Sequence, residues 1–190
     1  MILAFFGPPG AGKGTQAKFI SKKLKLIHLS TGELLRKQLE KKNELSLQLK
    51  QVIDSGKLVS DEILNKIISQ RIIEEDCSNG FILDGYPRTL SQATFINEYL
   101  HNNQLAFNAF IELDLDHRII IDRIKNRALI ESRADDSQKT IKIRLEKYLH
   151  ETKPVLELYK KQYKSIYFTI DGKQDIEKIK SLLLSLLKKP

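Results

Sequence analysis

The sequence predicts an α/β fold: a five-stranded parallel sheet flanked by helices. Three observations predict it. Short apolar runs alternate with longer helical stretches, as in βαβ units. The runs are apolar almost throughout, which suits strands buried on both faces. The first of them leads directly into a glycine-rich turn and then a helical pattern.

The opening run, 2–6, reads as a buried strand. It is too short for a secretory core and lacks preceding basic residues. The second strand is expected over 26–29. A helix then starts after Ser30 or Thr31, and another at Ser60, where Asp61 and Glu62 suit the first turn. Ser55-Gly56-Lys57 breaks the chain between them. The stretch 30–59 is longer than a simple crossover needs and is expected to form a mobile flap. Strands follow over 81–84 and 109–113. A helix is expected from about Asp116 to Arg127, then a polar interruption over 128–137. A long helix from Gln138 to Lys164 contains Pro154, which is expected to kink or break it. The last strand is expected over 166–170. Apolar residues at helical spacing over 175–187 predict a final helix docked on the sheet.

At 190 residues the chain fits a single domain with a sizeable core. One cysteine, Cys77, excludes an intramolecular disulfide and a Cys-rich zinc site, and fits a reducing compartment. No apolar run approaches the roughly 20 residues of a membrane span. The formal charge of +8 raises the question of nucleic acid, but the basic pairs are scattered along the chain. Isolated arginines beside motifs point to a small polyanionic ligand instead.

Gly7-Pro8-Pro9-Gly10-Ala11-Gly12-Lys13 has the form G-x-x-x-x-G-K between strand and helix. Glycines let backbone N–H groups converge on phosphate oxygens, and the following helix presents its positive end. Lys13 supplies a mobile cation. Gly14 stands where Ser or Thr usually follows the lysine, with Thr15 next, so magnesium would be held less directly, through Thr15, nucleotide oxygens and water. The strand, loop and helix together predict a P-loop NTPase-type sheet.

The extended string through Gly14-Thr15 resembles the nucleoside monophosphate kinases, and further motifs resemble their adenylate kinase branch. The resemblance implies a P-loop NTPase-type core over 1–29, 60–126 and 138–190, a helical AMP-binding flap over about 30–59 and a short lid over about 127–137. It implies an enzyme that moves a phosphoryl group from MgATP to AMP. Gly10, Ala11, Gly12, Lys13, Gly14 and Thr15 would hold ATP. Thr31-Gly32-Glu33-Leu34-Leu35-Arg36 resembles the first acceptor motif, with Arg36 gripping the AMP phosphate and Thr31 facing adenine. Glu33 replaces the more usual aspartate and keeps its charge.

Gly56-Lys57-Leu58-Val59-Ser60-Asp61 resembles the segment whose backbone lines the adenine pocket, with Lys57, Leu58 and Val59 as the AMP-binding residues. Asp84-Gly85-Tyr86-Pro87-Arg88-Thr89, followed by Gln92, closes a strand at the carboxyl edge of the sheet, where open α/β sheets bind ligands. By resemblance, Asp84 would order magnesium through water, Gly85 and Arg88 would contact AMP, and Gln92 would read the adenine edge. The family also implies a cis Tyr86–Pro87 bond. Thr31 and Gln92 match the adenylate branch, whereas the UMP/CMP branch typically carries Ala and Asn there.

Asp122-Arg123-Ile124-Lys125-Asn126-Arg127 and Arg133-Ala134-Asp135-Asp136 resemble the two flanks of the lid, with Arg144 following on the next helix. Arg123 would stack on the donor adenine. Arg127, Arg133 and Arg144 would converge on the transferring group, and Asp135 and Asp136 would pair with these arginines on closure. Arg133 and Arg144 would also reach AMP. Lys173, after Asp171-Gly172, would lie beside the donor base. Only 128–132 separate the flanks, so a short-lid form without zinc is expected. The implied cofactor is Mg2+ carried with ATP. ATP and AMP are the implied partners, with no nucleic acid or membrane, in a cytoplasmic monomer. A UMP/CMP kinase and, from another class, a basic nucleic-acid-binding module are the alternatives. No guanine-reading Asn-Lys-x-Asp string occurs.

Overall fold

The structure is a computed structural model that describes residues 1–40, 46, 47, 49, 50, 52, 59–116, 119, 120 and 138–187. Its centre is a five-stranded sheet in the order β2-β3-β1-β4-β5. The strands are β1 Ile2–Phe6, β2 Ile27–Ser30, β3 Phe81–Asp84, β4 Ala109–Asp114 and β5 Tyr167–Asp171. Every neighbouring pair is parallel. The second and fifth strands begin one residue later than expected, and the fourth runs one residue further, into Asp114. Element ends are decided by ladder hydrogen bonds, which apolar composition does not register.

The helices are α1 Lys13–Leu24, α2 Thr31–Glu40, α3 Asp61–Ile72, α4 Leu90–Asn102, α5 Gln138–Lys147, α6 Lys153–Gln162 and α7 Ile176–Leu187. All five residues of β1 are buried, so its alternate side chains enter different cores. Ile2, Ala4 and Phe6 pack on one face with Leu64 and Ile68 of α3, Ile96 and Leu100 of α4, and Val155 and Tyr159 of α6. Leu3 and Phe5 pack on the other face with Ala17 and Ile20 of α1, and Ile179 and Leu183 of α7. The final amphipathic stretch therefore docks as expected. No helix among the described residues is long and apolar enough to cross a membrane.

Two differences from the expected helices have physical causes. The long helix over 138–164 is divided: α5 gives way to a π-helical turn, Tyr148–Thr152, before α6, which ends at Gln162. Pro154 lacks an N–H and its ring crowds the carbonyl four residues back. The distortion therefore lies just before the proline, where the Lys153 N–H reaches back to the Tyr148 carbonyl. The other difference is α4, a helix absent from the expected elements. Its start carries the Thr89-x-x-Gln92 capping-box spacing, and the Thr89 side chain accepts from the Gln92 N–H at 3.1 Å. Ser60 does precede α3, but its hydroxyl makes no capping bond.

Candidate active site

β1 leads by way of α1 towards β2, whereas β4 leads towards β5 on the other side. This reversal opens a crevice at the carboxyl edge of the sheet. The phosphate loop leaves β1 at that edge. Gly12, at the cap of α1, has φ +89°, a conformation glycine adopts without the strain a side chain brings. Lys13 folds back over the loop, its Nζ donating to the carbonyls of Gly7 at 2.8 Å and Pro8 at 2.9 Å. Gly10 and Ala11 lie before α1, Gly14 in its first turn, and Thr15 beside it is exposed. Ala11 is buried, whereas Gly12 is exposed.

The register that pairs Phe5 with Asp84 sets Asp84 next to this loop. A Cβ on Gly14 would stand 3.4 Å from Asp84 Oδ2, so glycine there leaves room beside the carboxylate. Asp84 is buried and its Oδ2 lies 3.0 Å from His28 Nε2 on β2. Burial opposes its ionisation. The His28 hydrogen bond and the charges of Lys13 and Arg88 outweigh that and hold it below the ordinary carboxylate value. His28 carried no signal in the sequence, since a histidine in an apolar run shows no partner until the strands pair.

The acceptor-motif residues converge on the same edge. The Thr31 hydroxyl is within reach of the carbonyls of Asp84 (3.3 Å) and Gly85 (3.2 Å). Arg88 Nε donates to the Gly85 carbonyl at 2.7 Å, and Nη2 to Thr31 Oγ1 at 3.3 Å. Removal from water holds the Arg88 guanidinium below its ordinary value, and the Asp84 charge offsets only part of that. The Tyr86–Pro87 peptide is cis, as the resemblance implied. On α2, Arg36 lies close to Gly32, its Nη1 3.3 Å from where a Cβ would stand. Lys18 binds Glu33 at 2.7 Å, and this bond, with Arg36 and His28 nearby, lowers the Glu33 carboxyl despite partial burial. Val59 is buried and packs in the core. Gln92, at the start of α4, is 1 % exposed.

Gly85 has φ +80°, and a Cβ there would stand 2.7 Å from Arg88 Nη2 and 2.8 Å from Thr31 Oγ1. Gly85→Ala is therefore expected to cost about 1–3 kcal/mol in stability, from backbone strain and crowding. It should also displace Arg88 and weaken acceptor binding. Chemical denaturation and titration with AMP measure both, and an unaffected affinity would count against the AMP contact that the resemblance implies for Gly85.

On the other side of the loop lies a cleft of about 660 Å³, lined in part by Pro8, Asp114, Asp116, Tyr148 and Lys173. Lys173 is exposed, its N–H donates to Asp171 Oδ1 at 2.9 Å, and its Nζ stands 3.8 Å from Asp116. Gly172 is anchored below by its N–H on the Asp114 carbonyl at 2.7 Å. Arg144 lies in the last turn of α5. Arg123, Arg127, Arg133, Asp135, Asp136, Lys57 and Leu58 lie outside the described residues.

A family model described as "Adenylate kinase" matches residues 5–164. The adenylate kinase of Stenotrophomonas maltophilia is 38% identical over 188 residues, covering 99% of this chain and 100% of its own. That of Sinorhizobium medicae is 39% identical, with 98% and 100% covered. The adenylate kinase of Petrotoga mobilis is 37% identical over 215 residues, covering 99% and 98%. This last alignment is longer than the present chain, so that relative carries residues with no counterpart here.

Proposed function

This chain belongs to the adenylate kinase family, and we propose that the loop after β1, the end of β3 and the starts of α2 and α4 form its two-nucleotide site. It is an enzyme of ATP:AMP phosphoryl transfer, a reversible reaction that yields two ADP and serves adenine nucleotide homeostasis. The observation that carries the residue roles is the convergence of Lys13, Asp84, Arg88 and Thr31 at one sheet edge.

Phosphoryl transfer passes through a largely dissociative transition state, so the protein mainly positions groups and neutralises charge. The AMP phosphate is already a nucleophile, and no general base is required. Gly10, Ala11, Gly12, Gly14 and Thr15 cradle the ATP phosphates, and Lys13 leaves its loop carbonyls for the transferring group. Arg36 and Arg88 hold the AMP phosphate, while Thr31, Lys57, Leu58, Val59, Gly85 and Gln92 form the base pocket. Arg123, Arg127, Arg133 and Arg144 cover the donor, and Lys173 lies beside its base. Asp84, with Gly14 leaving space at its carboxylate, suits a magnesium ion that enters with ATP and is held through water. That ion would neutralise phosphate charge. The lid over 127–137 and the flap over 30–59 close to exclude water, a competing acceptor. A short lid without zinc fits the single cysteine and the five residues, 128–132, between the lid flanks. The reading is of a cytoplasmic monomer.

AMP is expected to be phosphorylated far better than CMP or UMP, because Thr31 and Gln92 match the adenylate branch. A coupled assay across AMP, GMP, CMP and UMP measures this. Turnover of CMP equal to that of AMP would favour the UMP/CMP reading.

A further inference from the structure

The side chain of Gln92 is held at both ends. Its Oε1 accepts the Arg88 backbone N–H at 2.7 Å, and its Nε2 donates to Asp61 Oδ1 at 2.7 Å. Asp61 stands in the first turn of α3, on a different helix from Gln92. Its second oxygen, Oδ2, accepts the Thr89 hydroxyl at 2.7 Å, and that hydroxyl oxygen accepts the Gln92 N–H at 3.1 Å. Thr89, Asp61 and Gln92 thus form a closed ring of hydrogen bonds between the starts of two helices.

The ring sets a polarity. A carboxylate only accepts and a backbone N–H only donates. Rotating the Gln92 amide by half a turn would set its oxygen against Asp61 and its NH2 against the Arg88 N–H. Both contacts would be between like poles, in a place where Gln92 is nearly sealed from water. In the orientation held, one oxygen lone pair and one N–H remain uncommitted, because each end has capacity for a further bond.

Adenine presents an amino N–H beside a ring nitrogen acceptor. That pair complements an amide oxygen beside an N–H. A 6-oxopurine presents the reverse, a carbonyl oxygen beside a ring N–H, and complements only the rotated amide. We infer that Asp61 is a specificity-positioning residue: by fixing the amide polarity of Gln92, it makes the acceptor site favour 6-aminopurine over 6-oxopurine monophosphates. The inference rests on the reading that Gln92 addresses the acceptor base.

The test compares kcat/KM for AMP and for inosine monophosphate, both with MgATP, in four proteins. Asp61→Ala should lower the preference for AMP by roughly three- to tenfold, the worth of a correctly oriented hydrogen bond, mainly through KM. Asp61→Asn keeps an acceptor oxygen for Gln92 Nε2 and should restore most of the preference. Gln92→Leu should abolish it. If Gln92→Leu abolishes the preference and Asp61→Ala leaves it unchanged, Asp61 does not set the amide and the inference fails. If Gln92→Leu leaves the preference intact, the base-reading role fails first and takes this one with it. A purely structural Asp61 would lower Tm and kcat/KM for both acceptors in parallel, with an unmoved ratio, which also overturns the inference. Should Asp61→Ala not fold, Thr89→Val removes the other support of the carboxylate. It must then move the ratio in the same direction, and an unmoved ratio counts against the inference.

Discussion

Lys13→Ala is expected to lower turnover by about a hundred- to thousandfold while the protein stays folded, the usual effect of removing one group aimed at developing charge. Lys13 Nζ is bound to two carbonyls of its own loop, those of Gly7 and Pro8. Those bonds fold the side chain back on the loop, and it must exchange them for phosphate oxygens to take the proposed role. Their loss costs about 0.5–1.5 kcal/mol each in stability, since net hydrogen bonds contribute on that scale. The catalytic loss should therefore far exceed the stability loss. Single-turnover transfer together with thermal unfolding separates the two. A folded variant that turns over near the normal rate would remove Lys13 from its assigned place.

The second large effect concerns two arginines with different assigned partners. Arg88→Ala should weaken AMP binding as well as slow transfer, because its guanidinium sits between Gly85, Thr31 and Asp84 in the proposed acceptor pocket. Arg144→Ala, and likewise Arg133→Ala, should reduce the transfer rate more than AMP affinity. A contact made only in the transition state changes turnover, whereas one already present in the complex changes affinity. Losses of about a hundredfold or more in rate are expected for groups facing the transferring phosphoryl. Single-turnover measurement is needed, because slow reopening of the lid can hide a chemical defect. Arg133 and Arg144 variants that transfer at the normal single-turnover rate would show the lid assignment to be wrong. Removing Arg88 also exposes Asp84 to less positive charge, so its carboxyl should rise from its depressed value.

The fold was legible because burial on both faces of a parallel sheet leaves an unmistakable trace in composition. Ile2–Phe6 and Phe81–Asp84 were placed to the residue, since every side chain in them is buried. The helix Leu90–Asn102 was less legible. Its polar first turn belongs to the acceptor motif, and its apolar positions, Ala93, Ile96 and Leu100, are spaced among exposed residues. Pro154 predicts a break in the helix but not its form. Sequence shows the missing donor, and only the packed helix shows that the backbone widens into a π-turn before it.

The phosphate-loop motif, the parallel sheet and the family can all be read from the linear chain. These depend on residue types at short fixed spacings, which local sterics and hydrogen bonding constrain directly. Which side chains from separate elements meet is set by the packed fold. His28 reaches Asp84 because β2 and β3 pair in register, and Asp61 reaches Gln92 because the starts of α3 and α4 are neighbours. Such contacts join residues 56 and 31 positions apart. No local preference encodes them, because their free energy appears only once the sheet and its helices have brought the partners within hydrogen-bonding distance.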